Sequence, residues 1–110
     1  MDKKYLFSWS HSKYLCHKDY LDIIEKNVEN NNLVIYGYSW CQWTDKAKKI
    51  LKHKYNSDPV MILPDIVNNN FKYEMLKCIQ YKTNSNKSPQ IWINQKHIGS
   101  FEDLINEHLN

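Results

Sequence analysis

The sequence predicts a single α/β domain built on a mixed β-sheet, and three observations lead to that fold class. A chain of 110 residues has room for one domain with a modest core. Short apolar runs that suit buried strands alternate with segments whose apolar residues have helical spacing. The order strand, helix, strand in the middle of the chain implies a parallel pair joined by a crossover helix, and two later strands are close enough for a hairpin.

The first half of the chain contains the predicted elements up to the crossover helix. Residues 1–17 are aromatic and polar without a clear period, and we expect an irregular N-terminal extension followed by a domain over residues 18–110. Helical spacing over 18–30 and again over 42–55 brackets a continuous apolar run at 33–36, which is typical of a strand buried on both faces. The residues expected to face the core are Tyr20, Ile23, Ile24 and Val28 in the first helix and Ala47, Ile50, Leu51 and Tyr55 in the second.

The second half of the chain completes the predicted sheet. Its elements are a strand over 60–63, a helix over 71–81, a hairpin of strands 90–93 and 96–98, and a last helix over 101–109. Asn94 and Gln95 form the hairpin turn, where Asn tolerates a positive φ. Gly99 is one of two glycines in the chain and precedes the last helix, so we expect a special backbone conformation there.

Composition and charge exclude several classes of function. A net charge of +3 does not indicate the dense basic patch of a nucleic-acid-binding protein, and all fifteen basic residues are lysine, so no bidentate guanidinium is available to hold an anion. We expect neither a leader peptide nor a membrane span. The three cysteines, Cys16, Cys41 and Cys78, show no framework spacing, which argues against a disulfide-stapled domain. We therefore expect a protein of the reducing cytoplasm that binds neither nucleic acid nor a membrane.

Cys41 is the residue that carries the most chemical information. It lies between the predicted strand and the helix that begins near Gln42, where unpaired N–H groups and the helix dipole favour thiolate over thiol. Three residues later, where a redox Cys-x-x-Cys would carry its second thiol, stands Thr44. Its hydroxyl either donates to the Cys41 sulfur or satisfies backbone groups at the helix start. Lys46, Lys48 and Lys49 have two interpretations. They are either a solvated helix face, which we favour for at least two of them, or cations that lower the pKa of Cys41.

The other cysteines and the histidines near the N-terminus carry weaker signals. Cys78 lies on the apolar stripe of its helix, so we favour burial in the core over a role as a remote resolving thiol. Cys16 lies in the extension, and the sequence does not set its distance from Cys41. His11, Cys16 and His17 fit no ordinary zinc pattern, and we interpret them as surface polar residues without a metal.

Three segments together resemble the glutaredoxin family of the thioredoxin-like fold. The run from Val34 to Cys41 resembles the strand that leads into the family's Cys-Pro-Tyr-Cys site, which reads Cys-Gln-Trp-Thr here. Residues 87–93 resemble the Thr-Val-Pro segment with the strand after it, and residues 99–104 are similar to Gly-Gly-x-Asp-Asp-Leu. The resemblance covers nearly everything but the extension. It implies a central four-stranded mixed sheet flanked by helices, with an N-terminal helical extension.

The resemblance also implies a groove for glutathione beside Cys41. A cis bond before Pro89, as in the family, would turn the backbone of Ser88 toward the cysteine, where it pairs with the cysteine moiety of glutathione. The helix start after Gly99 offers N–H groups to the γ-glutamyl carboxylate, and Glu102 replaces the family's Asp as acceptor for the γ-glutamyl amine. The residues implied to bind glutathione are Tyr38, Trp43, Lys87, Ser88, Pro89, Gly99, Ser100, Phe101 and Glu102, with Cys41 catalytic and Thr44 supporting its thiolate.

Three departures from the family pattern concern the hold on glutathione. Tyr38 replaces the family's lysine three residues before the cysteine, and Gln42 replaces the proline of the site. The Arg or Gln often found before Thr-Val-Pro has no single counterpart; the candidates are Gln80, Lys82 and Lys87.

The function that the resemblance implies is thiol–disulfide exchange by a monothiol mechanism. The Cys41 thiolate attacks a glutathionylated protein or a small disulfide, and a second glutathione resolves the Cys41–glutathione intermediate. We expect glutathione as co-substrate, no metal and a monomer. Two alternatives stay open. One is a carrier of a [2Fe–2S] cluster held between two protomers by Cys41 and glutathione, and the other is a redox-inactive binding module on the thioredoxin fold.

Overall fold

A computed structural model describes residues 5–7 and 15–108, and its elements confirm the predicted α/β architecture. In chain order they are β1 (Tyr5–Phe7), β2 (Leu15–His17), α1 (Lys18–Asn30), β3 (Leu33–Tyr36), α2 (Gln42–Tyr55), β4 (Val60–Ile62), α3 (Asn69–Thr83), β5 (Gln90–Ile93), β6 (Lys96–Gly99) and α4 (Phe101–His108). One turn of 3₁₀ helix, Pro64–Ile66, follows β4. Among the described residues no helix is both long and apolar enough to cross a membrane.

The central sheet has four strands in the order β4-β3-β5-β6. β3 pairs in parallel with β4 and antiparallel with β5, and the β5–β6 hairpin completes the sheet. All four residues of β3 are buried, which confirms a strand covered on both faces. Asn94 and Gln95 have φ values of 51° and 67°, and two positive φ angles in sequence are the requirement of a type I′ hairpin turn.

Helices cover both faces of the sheet, so the domain has two hydrophobic cores. Successive side chains of a strand point to opposite faces. Val34 and Tyr36 therefore pack in the core under α1 and α3, whereas Leu33 and Ile35 pack in the core under α2 and α4. Because β3 leads into α2, the loop between them emerges at one end of the sheet, beside the ends of both cores.

The predictions for the N-terminal part of the chain need correction. β1 and β2 form an antiparallel pair in which Leu6 lies opposite Cys16, so the described part of the extension is not irregular. Residues 1–4 and 8–14, His11 among them, lie outside the described residues. In α1 the buried face consists of Leu21, Ile24 and Val28, whereas Ile23 is exposed. Of the predicted face, Ile24 and Val28 are buried and Tyr20 packs against the core, so the error is one position: Leu21 is buried in place of Ile23. Both sets of positions have three- and four-residue spacing, so the spacing does not distinguish them.

The expectation of a domain without a disulfide is also wrong. Cys16 and Cys78 form a disulfide with a Cα–Cα distance of 4.8 Å, and both residues are completely buried in the core under α1 and α3. The bond fastens β2 to α3. The two cysteines are 62 residues apart and one lies in a segment without periodicity, so their spacing gave no signal. Cys41 is the free cysteine.

Local contacts explain why β4 and α3 end where they do, and β6 runs one residue further than predicted, to Gly99. β4 ends at Ile62 rather than residue 63, because the 3₁₀ turn begins at Pro64. α3 runs two residues further than predicted at each end. The side chain of Asn68 accepts the N–H of Phe71 at 2.7 Å, which is the contact of a helix N-cap, and Asn84 closes the other end with a φ of 58°.

Candidate functional site

Cys41 is the N-cap residue of α2, in the loop that follows β3. Its N–H donates to the carbonyl of Tyr38 at 3.1 Å, which closes a tight turn, and the N–H of Gly37 donates to the carbonyl of Ile62 at 3.0 Å. Position 37 has no room for a side chain, because a Cβ there would collide with the side chain of Thr44. The loop and the first turn of α2 are therefore packed directly against one another.

The surroundings of the Cys41 sulfur favour its ionised form. As a thiol it donates to the carbonyl oxygen of Ser88 at 3.9 Å. Partial burial acts to raise the pKa of this thiol, but the N–H and hydroxyl of Thr44, the N–H of Trp43 and the hydroxyl of Ser88 outweigh it and lower the pKa below the ordinary value. Thr44 is 3% exposed, and its N–H and hydroxyl are the two largest causes of the lowering. The donors that lower this pKa are neutral groups at the start of α2 and on Ser88.

Ser88 and Pro89 form the wall opposite the cysteine. Their peptide bond is cis, which confirms the expectation for this position. The Ser88 hydroxyl accepts the N–H of Tyr38 at 3.3 Å and lies 3.4 Å from the hydroxyl oxygen of Thr44. Side-chain contacts thus join the segment before β5 to both the loop and the helix that carry Cys41.

A groove extends from this wall toward α4. Its lining residues are Trp43, Lys87, Ser88, Ser100, Phe101, Glu102, Ile105 and Asn106. The rings of Trp43 and Phe101 lie 5.1 Å apart between centroids, and the ammonium of Lys46 lies 4.5 Å from the centroid of the Trp43 ring. One side of the groove is consequently apolar, and a cation stands at its edge.

The far wall of the groove is the start of α4. Gly99 has a φ of 119°, and a Cβ at this position would collide with the carboxylate of Asp103. That carboxylate accepts the N–H of Ser100 at 2.8 Å and its hydroxyl at 3.1 Å, as the third-position residue of a capping box does. The N–H of Ser100 is the main cause that holds the pKa of Asp103 below its usual value. The N–H groups of the first turn of α4 have no acceptor within the helix, so they are available to an anion in the groove.

Gln90 is 1% exposed, and its side chain bonds both to the segment before β5 and to β6. Its amide nitrogen donates to the carbonyl of Lys87 at 2.9 Å and to the hydroxyl of Ser85 at 3.2 Å. Its amide oxygen lies 2.8 Å from Nε2 of His97 on β6. An amide oxygen can only accept, so Nε2 of His97 is the donor in this bond. Partial burial lowers the pKa of His97.

The side of the loop away from the groove carries aromatic residues and one carboxylate. The ring of Tyr38 stacks on that of Trp40 at 5.2 Å with an interplanar angle of 3°, and Trp40 is 75% exposed. Ser39 donates its N–H and its hydroxyl to Asp65, the N–H at 2.9 Å. Burial tends to raise the pKa of Asp65, but the two Ser39 donors lower it overall. The 3₁₀ turn thereby anchors the outer side of the loop.

The structure brings together most of the residues predicted for the site. Trp43, Lys87, Ser88, Ser100, Phe101 and Glu102 line one groove, with Cys41, Thr44, Pro89 and Gly99 at its walls. The ring of Tyr38 instead packs against Trp40 and Tyr36, so what Tyr38 offers this wall is its N–H. The residues that sequence reasoning missed are Ile105, Asn106, Asp103, Gln90 and His97. Only Asp103 had a signal, since it matches the second Asp of the family's Gly-Gly-x-Asp-Asp segment.

The remaining candidates lie away from the groove. Lys49 pairs with Asp45 at 3.0 Å on the exposed face of α2. Nδ1 of His17 accepts the N–H of Asp19 at the start of α1, and Cys16 is in the disulfide. Within residues 5–7 and 15–108 no three His, Cys, Asp or Glu side chains are grouped as metal ligands. Cys16 and Cys78 lie under α1 and α3, on the face of the sheet opposite α2, and are not placed to resolve an intermediate on Cys41.

Comparison with known proteins gives one consistent result. The model of the glutaredoxin family matches residues 33–98. The chain is 35% identical over 72 residues to a glutaredoxin of Pseudomonas aeruginosa, covering 66% of this chain and 79% of that protein. It is 29% identical over 84 residues to glutaredoxin-1 of Rhizophagus irregularis, covering 76% and 80%. Among solved structures, a buckwheat glutaredoxin–glutathione complex superposes with a TM-score of 0.74 at 21% identity, covering 84% of this chain and 81% of that one.

Proposed function

The chain belongs to the glutaredoxin family, and from that premise we propose that it reduces glutathione mixed disulfides by a monothiol mechanism. The observation that carries the proposal is the pairing of Cys41 with Thr44. Cys41 is the free cysteine, and Thr44 occupies the position at which a dithiol enzyme has its second cysteine. The hydroxyl of Thr44 donates a hydrogen bond to the Cys41 sulfur. The site is therefore equipped to form and stabilise one thiolate.

The reaction then proceeds in two exchanges at sulfur. The Cys41 thiolate attacks the glutathione sulfur of a mixed disulfide; the old S–S bond breaks, and the substrate leaves as a thiolate that takes a proton from solvent. The new Cys41–glutathione disulfide is attacked at its glutathione sulfur by the thiolate of a second glutathione. This step releases oxidised glutathione and returns the Cys41 thiolate to the donors of Thr44, Trp43 and Ser88.

The groove offers a counterpart for each part of a bound glutathione. Next to the sulfur, the backbone of Ser88 pairs with the cysteine moiety as a very short added strand. The start of α4 receives the γ-glutamyl carboxylate on its N–H groups, and Glu102 accepts from the γ-glutamyl amine. Trp43 and Phe101 cover the peptide, and Lys87 supplies a cation. Tyr38 replaces the family's lysine with a ring turned toward Trp40, so the hold on the glycine carboxylate is weaker than in a lysine-containing relative.

The proposed setting is the reducing cytoplasm, with a monomer acting on glutathionylated proteins and small disulfides. The disulfide between Cys16 and Cys78 is compatible with that setting because both residues are completely buried. Thiol–disulfide exchange requires access of the attacking thiolate to the sulfur, so burial protects this bond from the glutathione pool.

The cluster-carrier alternative is compatible with Gln42 in place of the family's proline but needs ligands from outside this chain. The described part of this chain offers one free thiol, that of Cys41, and the other ligands of a [2Fe–2S] cluster would have to come from glutathione and a second copy. Expression without oxygen followed by a visible spectrum tests it. A coloured dimer that loses its absorbance in Cys41→Ser would make the protein a carrier, and a colourless monomer would leave the enzyme proposal in place.

The enzyme proposal is tested by turnover of a small glutathione mixed disulfide with glutathione as the only reductant. We expect turnover above the uncatalysed rate that is lost in Cys41→Ser and kept in the matched variant Cys16→Ser/Cys78→Ser. Mass spectrometry should find one glutathione per chain, attached to Cys41. Turnover that is absent, or that does not depend on Cys41, would leave the redox-inactive binding module as the better description.

A further inference from the structure

We propose that Gln90 and His97 are positioning residues that set the distance between the two walls of the glutathione groove. The inference rests on the proposed function of that groove. It concerns how tightly glutathione is held rather than how Cys41 reacts, and neither residue lines the groove.

The first link runs from Gln90 to the wall that contains Ser88. The amide nitrogen of Gln90 uses both of its hydrogens, one on the carbonyl of Lys87 and one on the hydroxyl of Ser85. The same Ser85 hydroxyl accepts the N–H of Lys87 at 3.1 Å, and the N–H of Ser85 in turn bonds to the Thr83 hydroxyl at 3.2 Å. Hydrogen bonds to Gln90 and among its own residues thus hold the segment between α3 and β5 in place as far as Lys87, the residue before Ser88.

The second link runs from Gln90 to the wall formed by α4. Its amide oxygen is bonded to Nε2 of His97, and the ring of His97 packs on Trp92 with the centroids 5.1 Å apart. Two residues after His97, β6 ends at Gly99, whose φ of 119° turns the chain into α4. The side chain of His97 thus ties Gln90 to the strand whose end leads directly into Ser100 and α4.

The two links meet in the side chain of Gln90, whose amide is buried and fully hydrogen-bonded. Gln90 is 1% exposed, and all three of its polar contacts are to groups outside β5. A buried amide that lost one of these partners would leave a polar atom unsatisfied, so the side chain resists any change in the separation of the walls. Neutral and protonated His97 both donate from Nε2, and the link to β6 survives in either state.

Loss of this bridge should weaken binding more than it alters the chemistry at sulfur. Of the donors that lower the pKa of Cys41, the two largest are the N–H and the hydroxyl of Thr44 on α2, a residue that neither Gln90 nor His97 contacts. Glutathione, by contrast, must touch both walls at once. His97→Leu is accordingly expected to raise KM for glutathione about fivefold, as the loss of one hydrogen bond does, with kcat changed less than twofold.

The experiment compares three substitutions of His97 and Gln90 with one control. His97→Gln keeps a donor near the position of Nε2 and should restore KM to within about twofold of the parent protein. Gln90→Leu removes both links and should raise KM further, and if it fails to fold, His97→Leu still decides the question because His97 is on the surface. His53→Leu makes the same change on the exposed face of α2 and should alter nothing.

A second readout does not require activity. Amide hydrogen exchange at Lys87 and at Ser100, one residue on each wall, should accelerate in His97→Leu and return in His97→Gln. The proposal is overturned if only one wall responds, if KM is unchanged in folded variants, or if kcat and stability fall together without a change in KM. If the parent protein shows no turnover, the proposed function fails, but the exchange at the two walls still decides whether Gln90 and His97 position them.

Discussion

The hydroxyl oxygen of Thr44 lies 3.4 Å from that of Ser88, although the two residues are 44 positions apart in the chain. Both hydroxyls also act on the sulfur of Cys41 and lower its pKa. The pair joins the first turn of α2, which carries Cys41, to the segment before β5. The same contact therefore holds the sulfur next to the backbone that would bind glutathione.

Replacing Thr44 by valine should make Cys41 less reactive at neutral pH. Valine has nearly the same shape but no hydroxyl, so the thiolate loses one hydrogen bond and the pKa of Cys41 rises. We expect the rate of alkylation by iodoacetamide at pH 7 to fall about threefold to fivefold, and the rate at pH 10, where the thiol is ionised in both proteins, to stay unchanged. Ser57→Ala, which removes an exposed hydroxyl between α2 and β4, is the control, and an equal loss of rate at both pH values would contradict the explanation.

Replacing Thr44 by cysteine should convert the protein into a dithiol enzyme. The side chain of Thr44 already contacts the sulfur of Cys41, so a thiol in its place stands within reach of disulfide formation. We expect Thr44→Cys to lose two free thiols on mild oxidation and to reduce a protein disulfide that the parent protein leaves intact. Failure to form this disulfide, with the protein folded, would show that the two side chains do not face each other.

Removing the disulfide between Cys16 and Cys78 should lower stability but leave the site alone. Opening a loop closed over 62 positions gives the unfolded chain more freedom, and the expected loss is about 2–4 kcal/mol in urea unfolding. The bond lies on the face of the sheet opposite α2, so the pH dependence of Cys41 alkylation should not move. Unfolding in the presence of a reductant should lower the stability of the parent protein to that of Cys16→Ala/Cys78→Ala. If the parent and the variant are equally stable without reductant, the disulfide is not formed.

The capping carboxylate of Asp103 should stabilise the protein in a defined range of pH. Its pKa is lower in the folded state than in the unfolded chain, so its contribution is complete above the unfolded value of about 4 and is lost as the pH falls through the folded value. Asp103→Ala is expected to cost about 1 kcal/mol at pH 7. The difference between the two proteins should shrink below about pH 4, as measured by denaturant unfolding across the pH range, and a constant difference would exclude an ionic cap.

The fold and the reactive cysteine were predictable because both leave local patterns. Leu33–Tyr36 is a continuous apolar run, α2 begins and ends where its periodicity does, and Cys41 falls between them. Pro89 and Gly99 stood out because each permits a backbone conformation that other residues rarely adopt.

What escaped prediction depends on side chains that meet from distant parts of the chain. Gln90 reads as one more residue of a buried strand, and only the folded structure brings its amide to His97 and Lys87. The disulfide has the same cause, since Cys78 alone resembles an ordinary core residue on the apolar face of α3. The analogy with the family's lysine predicts Tyr38 in the groove. In the structure the ring of Tyr38 stacks on the ring of Trp40 instead.

Because of the disulfide, the free thiols of a preparation report directly on Cys41. Of its three cysteines two are consumed in the core, so each correctly folded chain presents one thiol to solvent. A colourimetric thiol titration then measures the fraction of chains with a reduced Cys41. We expect one equivalent for a native preparation, and three after unfolding in reductant and removal of that reductant.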